Sequence, residues 1–280
     1  MRMHSDIDHI LINALREDIG NGDVTTMSLI SENSSSHAVF KAKGNFVLAG
    51  LPYAQRVFTL MDSNARFSGI KKDGDRIVQG QILAKVKGTT RVLLMAERTA
   101  LNILQRLSGI ATLTDHYVRR IRGFNSRIAD TRKTAPGLRV LDRYAVRIGG
   151  GHNHRYGLFD GILIKDNHIA AVGGVGKAVK LARAGVHHLL KVEVEVKNLS
   201  EVKEALRAGA DVIMLDNMPV DKMEKAVHAI RKEGRNILIE ASGDIGLENV
   251  RKVAQTGVDI ISVGALTHSA PAADISLKFN

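Results

Sequence analysis

Apolar residues recur at helical spacing across residues 6–18 (DIDHILINALRED), where Ile7, Ile10, Leu11, Ala14 and Leu15 share one face. Gly20 and Gly22 then stop the helix. From Ala38 to Gly88 the pattern changes to short apolar stretches punctuated by Gly and Asp. Within it, Lys71–Gly88 (KKDGDRIVQGQILAKVKG) predicts hairpin strands with turns at Asp73–Gly74 and near Gly80. Arg91–Leu107 is strongly helical, Ser108–Gly109 predicts a break, and a second helix is expected over Leu113–Ile121.

The rhythm then changes again. Short apolar strands at 126–130, 161–165, 190–196, 211–216, 236–241 and 258–263 alternate with helices around Val175–Ala184, Ser200–Ala208, Asp221–Lys232 and Leu247–Gln255. Gly185, Gly209, Gly234 and Gly257 fall where those helices should end. Strands alternating with helices imply a parallel sheet covered by helices. A doubly wound sheet wants a glycine-rich loop directly after its first strand, whereas a barrel carries polar residues at the carboxyl end of strand after strand. Asp130, Lys165–Asp166, Glu193 and Glu195, Asp216, Glu240–Ser242 and Ser262–Gly264 all sit at such ends. Six strands are legible rather than eight. The expected fold is therefore α/β: an atypical, incomplete α/β barrel (109–280) preceded by a β-rich α+β N-terminal domain (1–108). The chain after Ser269 is expected to pack back on that first domain.

Composition adds exclusions. The chain has 280 residues, 44% of them hydrophobic and 25% charged, enough to bury a sizeable core. There is no cysteine, so a disulfide framework, a thiolate nucleophile and a thiolate metal site are all ruled out. The first residues lack the apolar stretch of a signal peptide and no run is long enough to span a membrane, so a cytoplasmic protein without a membrane partner is expected. The net charge of +11 admits two readings. Nucleic-acid binders concentrate basic residues with aromatics, but here Lys and Arg are dispersed, aromatics are 4% and tryptophan is absent. A positive field for small anionic ligands is the better reading, with no nucleic-acid partner.

The candidate chemistry is densest in 130–169, DTRKTAPGLRVLDRYAVRIGGGHNHRYGLFDGILIKDNHI. Arg132–Lys133, His154–Arg155 and Lys165 gather there around a glycine triplet, Gly149–Gly151, which suits a small, multiply anionic molecule. Aiming Lys165 inward from an apolar strand is costly unless an anion meets it. Alternation in KVEVEV puts Glu193 and Glu195 on one face, so one of them should pair with the basic cluster. Glu195 and Asp216 end consecutive strands and offer the oxygen ligands that Mg²⁺ prefers, directly or through water. The turns Ser242–Gly243 and Val263–Gly264 can present backbone N–H groups to a phosphate. His152 and His168 are expected in structural hydrogen bonds, His268 in loop packing, His187–His188 in a solvated turn, and Asp23, Thr25 and Thr26 in a helix-exit turn.

These blocks, together with ALREDIGNGDVTT, AERTALNILQRLSGIATLT, IMLDNM, IEASG and ISVGALTHS, closely resemble the quinolinate phosphoribosyltransferase family over nearly the whole chain. The resemblance implies a homodimer whose barrel mouths are capped by the partner's N-terminal domain. It implies transfer of phosphoribose from phosphoribosyl pyrophosphate to quinolinate, with Mg²⁺, giving nicotinate mononucleotide, CO₂ and pyrophosphate. By matching positions, Arg132 and Arg155 should hold the two carboxylates, helped by His154 and Lys133, with Arg98 supplied by the neighbouring subunit. Lys165, Glu195, Asp216, Ser242, Gly243, Val263 and Gly264 should serve the phosphoribosyl group, and Lys133, Lys165, Glu195 and Asp216 the reaction. Two positions depart from the family pattern: Ala135 replaces a second threonine, and Asp244 stands where glycine is common in the phosphate loop. The neighbouring alternatives are a relative of the molybdenum-transport-associated proteins that uses another acceptor, and a basic nucleic-acid-binding protein.

Overall fold

A computed structural model describes residues 2–234 and 236–279. In chain order the first elements are α1 (Arg2–Ile19), α2 (Val24–Leu29), β1 (Ser35–Ala42), β2 (Phe46–Val47), α3 (Leu51–Met61), β3 (Arg66–Gly69), β4 (Arg76–Ile77) and β5 (Ile82–Thr89). Then come α4 (Thr90–Arg120), β6 (Arg127–Ala129), α5 (Arg139–Ile148), β7 (Ile162–Ile164), α6 (Asp166–Val172) and α7 (Val175–Ala184). The remainder is β8 (Val192–Val196), α8 (Leu199–Ala208), β9 (Val212–Asp216), α9 (Val220–Lys232), β10 (Leu238–Ser242), α10 (Val250–Gln255), β11 (Ile260–Ser262), α11 (Ala265–His268) and β12 (Ile275–Phe279). Two compact units result. One comprises the chain up to Asp115, Thr134–Gly150 and everything from Leu266; the other comprises His116–Lys133 and Gly151–Ala265.

The first unit is built on an antiparallel sheet of order β12-β1-β5-β3, with β2 and β4 as a separate pair. The last strand lies along the first, Ala38 opposite Phe279 and Ala42 opposite Ile275. Its core joins α1 (Leu11, Leu15) to Phe40 and Phe58, which meet edge to face at 6.0 Å between ring centres. The expected turn glycines adopt left-handed backbone, Gly74 at φ 92° and Gly80 at φ 90°. Three local expectations are corrected. Residues 51–61 form α3 rather than strand, because Leu51, Ala54, Val57 and Phe58 bury one helical face and Pro52 suits a first turn. Asp23 does not merely close α1: it caps α2, accepting from Thr26 N at 3.0 Å.

The third correction is the predicted break at Ser108–Gly109, which does not exist: α4 runs 31 residues straight through it. Ser108 is fully buried, and its hydroxyl accepts from Ala49 N at 3.1 Å and donates to Ala49 O at 3.2 Å. A Cβ at Gly109 would collide with the Pro271 carbonyl oxygen. These residues are small because the backbone of another segment presses on the helix, a cause that a single sequence does not separate from a helix stop. Gly149 has the same explanation, since a Cβ there would strike the Ala111 carbonyl. Helix α5, unforeseen in the sequence, is held by a forked pair from Arg106 Nε and Nη2 to the buried Asp142, both 2.8 Å.

The second unit carries a six-stranded parallel sheet of order β6-β11-β10-β9-β8-β7, the incomplete barrel expected from the alternating pattern. All six strands foreseen in the sequence are present, each starting one or two residues later than foreseen, and β10 runs one residue further, to Ser242. Among the described residues, an isolated parallel bridge from Ala129 to His152 extends the sheet beyond β6. Val192, Val194 and Val196 are fully buried, as are Ile213, Leu215, Ile239, Ala241 and Ile261. The alternate residues of the same strands include Glu193, Glu195, Asp216, Glu240 and Ser242, which therefore share the opposite face.

Replacing Gly109 by Ala tests the packing account of α4. An open helical site would gain roughly 0.5–1 kcal/mol from the change. Here the clash reverses the sign, with an expected loss of about 1–3 kcal/mol in denaturant unfolding.

Candidate active site

The cationic and acidic side chains of the second unit meet around the polar face of its sheet. Lys165 follows β7 and opens α6, where its N–H donates to His168 Nδ1 at 2.9 Å, so His168 has the structural role expected of it. The Lys165 ammonium lies 2.6 Å from Glu195 Oε1 at the end of β8. Glu195 is 8% exposed, so the lysine neutralises a carboxylate that would otherwise be buried alone. Both acids of KVEVEV thus have basic partners, where the sequence required only one.

His154 is the partner of the other acid. The loop after the Gly149–Gly151 triplet runs beside β6, with His152 N donating to Ile128 O at 2.8 Å and Asp130 N to His152 O at 3.0 Å. Asp130, fully buried at the end of β6, accepts from His154 N at 2.7 Å and from Asn153 Nδ2 at 2.6 Å. These bonds turn the His154 ring inward, where Nε2 stands 3.3 Å from Glu193 Oε2 and 3.6 Å from Glu240 Oε2. Burial disfavours a charged ring, whereas the hydrogen bonds and charges of Glu193 and Glu240 favour a proton on it. Burial pushes the Glu193 pKa up to about 7. The contact from Arg155 N to His154 Nδ1, at 2.7 Å, decides where the ring proton sits. A second N–H at Nδ1 would face the amide, so the geometry places the proton on Nε2, against the carboxylates.

Arg155 follows directly and donates from Nη1 to Gly161 O at 2.8 Å. Its hold on its proton is weakened by burial and by the Arg132 guanidinium, and strengthened by Glu193 and Glu195. Arg132, Arg155, Glu193 and Glu195 are therefore one electrostatic neighbourhood. Lys133 is exposed beside them, its N–H donating to Thr131 Oγ1 at 3.1 Å. Asp216 and Ser242 are opposite each other on β9 and β10. Asn217, at φ 49°, donates from its backbone to Ser242 O at 2.9 Å, and its side chain occupies the space a Cβ would need at Gly243. Asp244 also adopts left-handed backbone, φ 46°, a conformation that suits the glycine common in the family. It is exposed. Val263 N donates to Ala129 O at 2.9 Å, so that amide is already used within the sheet. Arg98 lies in the first unit, exposed on α4.

A cavity of about 630 Å³ opens at the amino ends of the strands, lined by Arg127, Lys191, Val212, Leu238 and Ile260. His154, Arg155, Glu193 and Glu240 form its inner wall, whereas Lys165, Glu195, Asp216 and Ser242 do not line it. The polar residues ending the strands face the other, carboxyl-end mouth, where α/β barrels place their chemistry. Three functional side chains escaped the sequence reading in any specific role: Asp130, Asn153 and Glu240. The signal for Glu240 was present, since alternation in LIEAS puts it on the face of Ser242.

The family model for the N-terminal domain of quinolinate phosphoribosyl transferase matches residues 23–108, and the model for its C-terminal domain matches 110–278. A probable nicotinate-nucleotide pyrophosphorylase [carboxylating] of Bacillus subtilis is 46% identical over 274 residues, 98% of this chain and 93% of that protein. A mitochondrial quinolinate phosphoribosyltransferase [decarboxylating] of Nicotiana tabacum is 43% identical over 98% of this chain and 82% of its own length. Among solved structures, NadC of Streptococcus pyogenes superposes with a TM-score of 0.93 at 44% identity, covering 98% of this chain and 96% of that one. The nicotinate-nucleotide pyrophosphorylase of Francisella tularensis gives 0.92 at 39% identity, with 99% and 96% covered.

Removing the Asp130 carboxylate as Asp130→Ala leaves the His154 and Asn153 donors without their acceptor. The expected cost is about 1–3 kcal/mol in urea unfolding. An unchanged midpoint would show that the loop does not depend on this anchor.

Proposed function

This chain belongs to the quinolinate phosphoribosyltransferase family, and we propose that its barrel mouth transfers phosphoribose from phosphoribosyl pyrophosphate to quinolinate. The products are nicotinate mononucleotide, CO₂ and pyrophosphate, and the setting is NAD biosynthesis. The observation that carries the assignment is the juxtaposition of Arg132 and Arg155, near enough that burial and then the Arg132 charge weaken the hold of Arg155 on its proton. Such crowding is relieved by an anion, and forked guanidinium donors match carboxylates in pairs. Quinolinate supplies two.

In this reading Arg132 and Arg155 grip the dicarboxylate, with Lys133 and the loop residue His154 completing its surround and Arg98 supplied by a partner subunit. Lys165 releases part of its hold on Glu195 to meet phosphate oxygens, and Glu195 and Asp216 accept from the ribose hydroxyls. Ser242, Gly243, Val263 and Gly264 shape the turns that receive the 5′-phosphate. Asp244 points a carboxylate away from that phosphate or weakens its binding. The C1′–O bond to pyrophosphate breaks as the pyridine nitrogen forms its bond to C1′. The quaternised ring then accepts the electron pair left when the adjacent C–carboxylate bond breaks, CO₂ departs, and that carbon takes up a proton. No residue needs to form a covalent intermediate, so positioning and preorganised charge supply the rate.

Glu195 and Asp216 fit a Mg²⁺ ion chemically, as hard oxygen donors on adjacent strands that can act directly or through water. When bound, Mg²⁺ neutralises charge on the departing pyrophosphate. The reading includes a homodimer in the cytoplasm, with the partner's N-terminal domain capping each mouth. Among the described residues no helix is long and apolar enough to cross a membrane.

Purified protein given phosphoribosyl pyrophosphate and Mg²⁺ should form nicotinate mononucleotide and CO₂ from quinolinate and should not use nicotinate. Absence of product from quinolinate, with turnover of another acceptor, would transfer the assignment to the related-acceptor reading. Arg155→Ala should lower kcat/KM for quinolinate by about 100-fold, the loss of a buried charged contact. Chelation by EDTA should abolish turnover and added Mg²⁺ should restore it. Mixing inactive Arg98→Ala and Arg155→Ala proteins should restore partial activity, because a mixed dimer then contains one intact site; failure of rescue would place Arg98 outside the partner's site.

A further inference from the structure

Glu193 and Glu240 have no role in the proposed reaction, yet the cluster they form around His154 is an expensive arrangement. Its three ligand-capable atoms all lie within 4.8 Å of one another. Glu193 is 7% exposed and Glu240 1%, and the Oε1 atoms of both lack a hydrogen-bond partner among the described residues. Burying acids in this way usually costs more than it returns, and apolar residues would fill the same space more stably. Two roles can account for such a cluster: a bound cation or a fixed orientation of the ring.

The hydrogen bonds to the loop discriminate between these roles. A metal would need the lone pair on Nε2 and hence the proton on Nδ1, where the Arg155 amide already donates at 2.7 Å. The opposite tautomer satisfies every contact at once: Nε2–H toward Glu193 and Glu240, Nδ1 accepting from Arg155 N, and the His154 amide on Asp130. The ring is thereby pinned from both sides, and its second nitrogen orients the peptide that begins Arg155.

We propose that Glu193 and Glu240 are positioning residues, which hold the His154 ring so that its Nδ1 sets the backbone of Arg155 and hence the angle at which that arginine meets the dicarboxylate. This rests on the reading of Arg155 as an arm of the quinolinate site. Neither glutamate touches substrate, and the ring sets Arg155 from beneath through its Nδ1.

The test is Glu240→Gln, which keeps shape and removes the acceptor charge. Wild type and variant are compared for KM of quinolinate, KM of phosphoribosyl pyrophosphate, kcat and cooperative melting. KM for quinolinate is expected to rise about ten-fold, the net worth of one charged hydrogen bond, while KM for phosphoribosyl pyrophosphate stays nearly constant. Adding Glu240→Gln to His154→Gln should produce no further loss, since both act through one ring. An equal rise in both KM values, or full additivity in the double variant, would overturn the proposal. Should Glu240→Gln fail to fold, Glu193→Gln is judged by the same split. Imidazole ¹⁵N spectra give a readout independent of turnover: wild-type His154 should be protonated at Nε2, and this preference should weaken in the variant. A wild-type ring protonated at Nδ1, or wild-type protein retaining one Zn²⁺ or Mn²⁺ that Glu240→Gln loses, would refute it. Wild type that ignores quinolinate but shows the expected spectrum would sink the substrate assignment and leave the ring's anchorage standing.

Discussion

Carboxylates on the inner face of a parallel sheet demand cations, and that demand organises the second unit. Water is largely excluded around Glu193, Glu195 and Glu240, so each must find a proton or a positive partner from the loops. Lys165 answers Glu195 from the end of β7, and His154 answers Glu193 and Glu240 from the loop beside β6. Asp130 serves the same architecture by holding the loop's own amide and Asn153. The electrostatics thus fixes where two loops go, and Arg155 and Arg132 are delivered to the same neighbourhood as a consequence.

The first unit depends on a different constraint, close backbone approach. Helix α4 survives Ser108–Gly109 because a buried hydroxyl satisfies both the N–H and the C=O of Ala49, and because the missing Cβ admits the Pro271 carbonyl. The Arg106–Asp142 fork and the bond from Tyr144 to Asp73, 2.7 Å, tie α5 into this unit although α5 lies among the barrel elements in sequence. Burial and the nearby Asp73 carboxylate raise the Tyr144 pKa, so the phenol remains a donor. Family boundaries drawn along the chain at 108–110 and compactness in space therefore divide the molecule differently.

Much of the barrel was legible because its strands alternate so plainly with helices. The period-two pattern in KVEVEV announced a polar inner face, and the polar strand ends announced which side chains would gather at one end of the sheet. The glycine triplet misled in part. Gly149 is small for packing against Ala111, and Gly150, at φ 87°, is a turn residue, so neither was evidence for an anion. Helix α3 was hidden because its buried positions are embedded in a stretch whose neighbours really are strands.

Residue types and periodicity determined by themselves that this chain builds a parallel α/β unit with an inner row of acids and a basic loop region, and the ordered blocks along it identified its family. Those are properties of local sequence: which face a residue takes depends on its spacing alone. Which acid meets which base depends on strand register and loop path, and only the tertiary structure decided it. Lys165 and Glu195 are thirty positions apart in sequence, and His154, beside β6, meets Glu240 on β10 and Glu193 on β8. The proton on the His154 ring was likewise settled by an amide in the folded loop, because a histidine's tautomer is set by its neighbours and never by its own place in the chain.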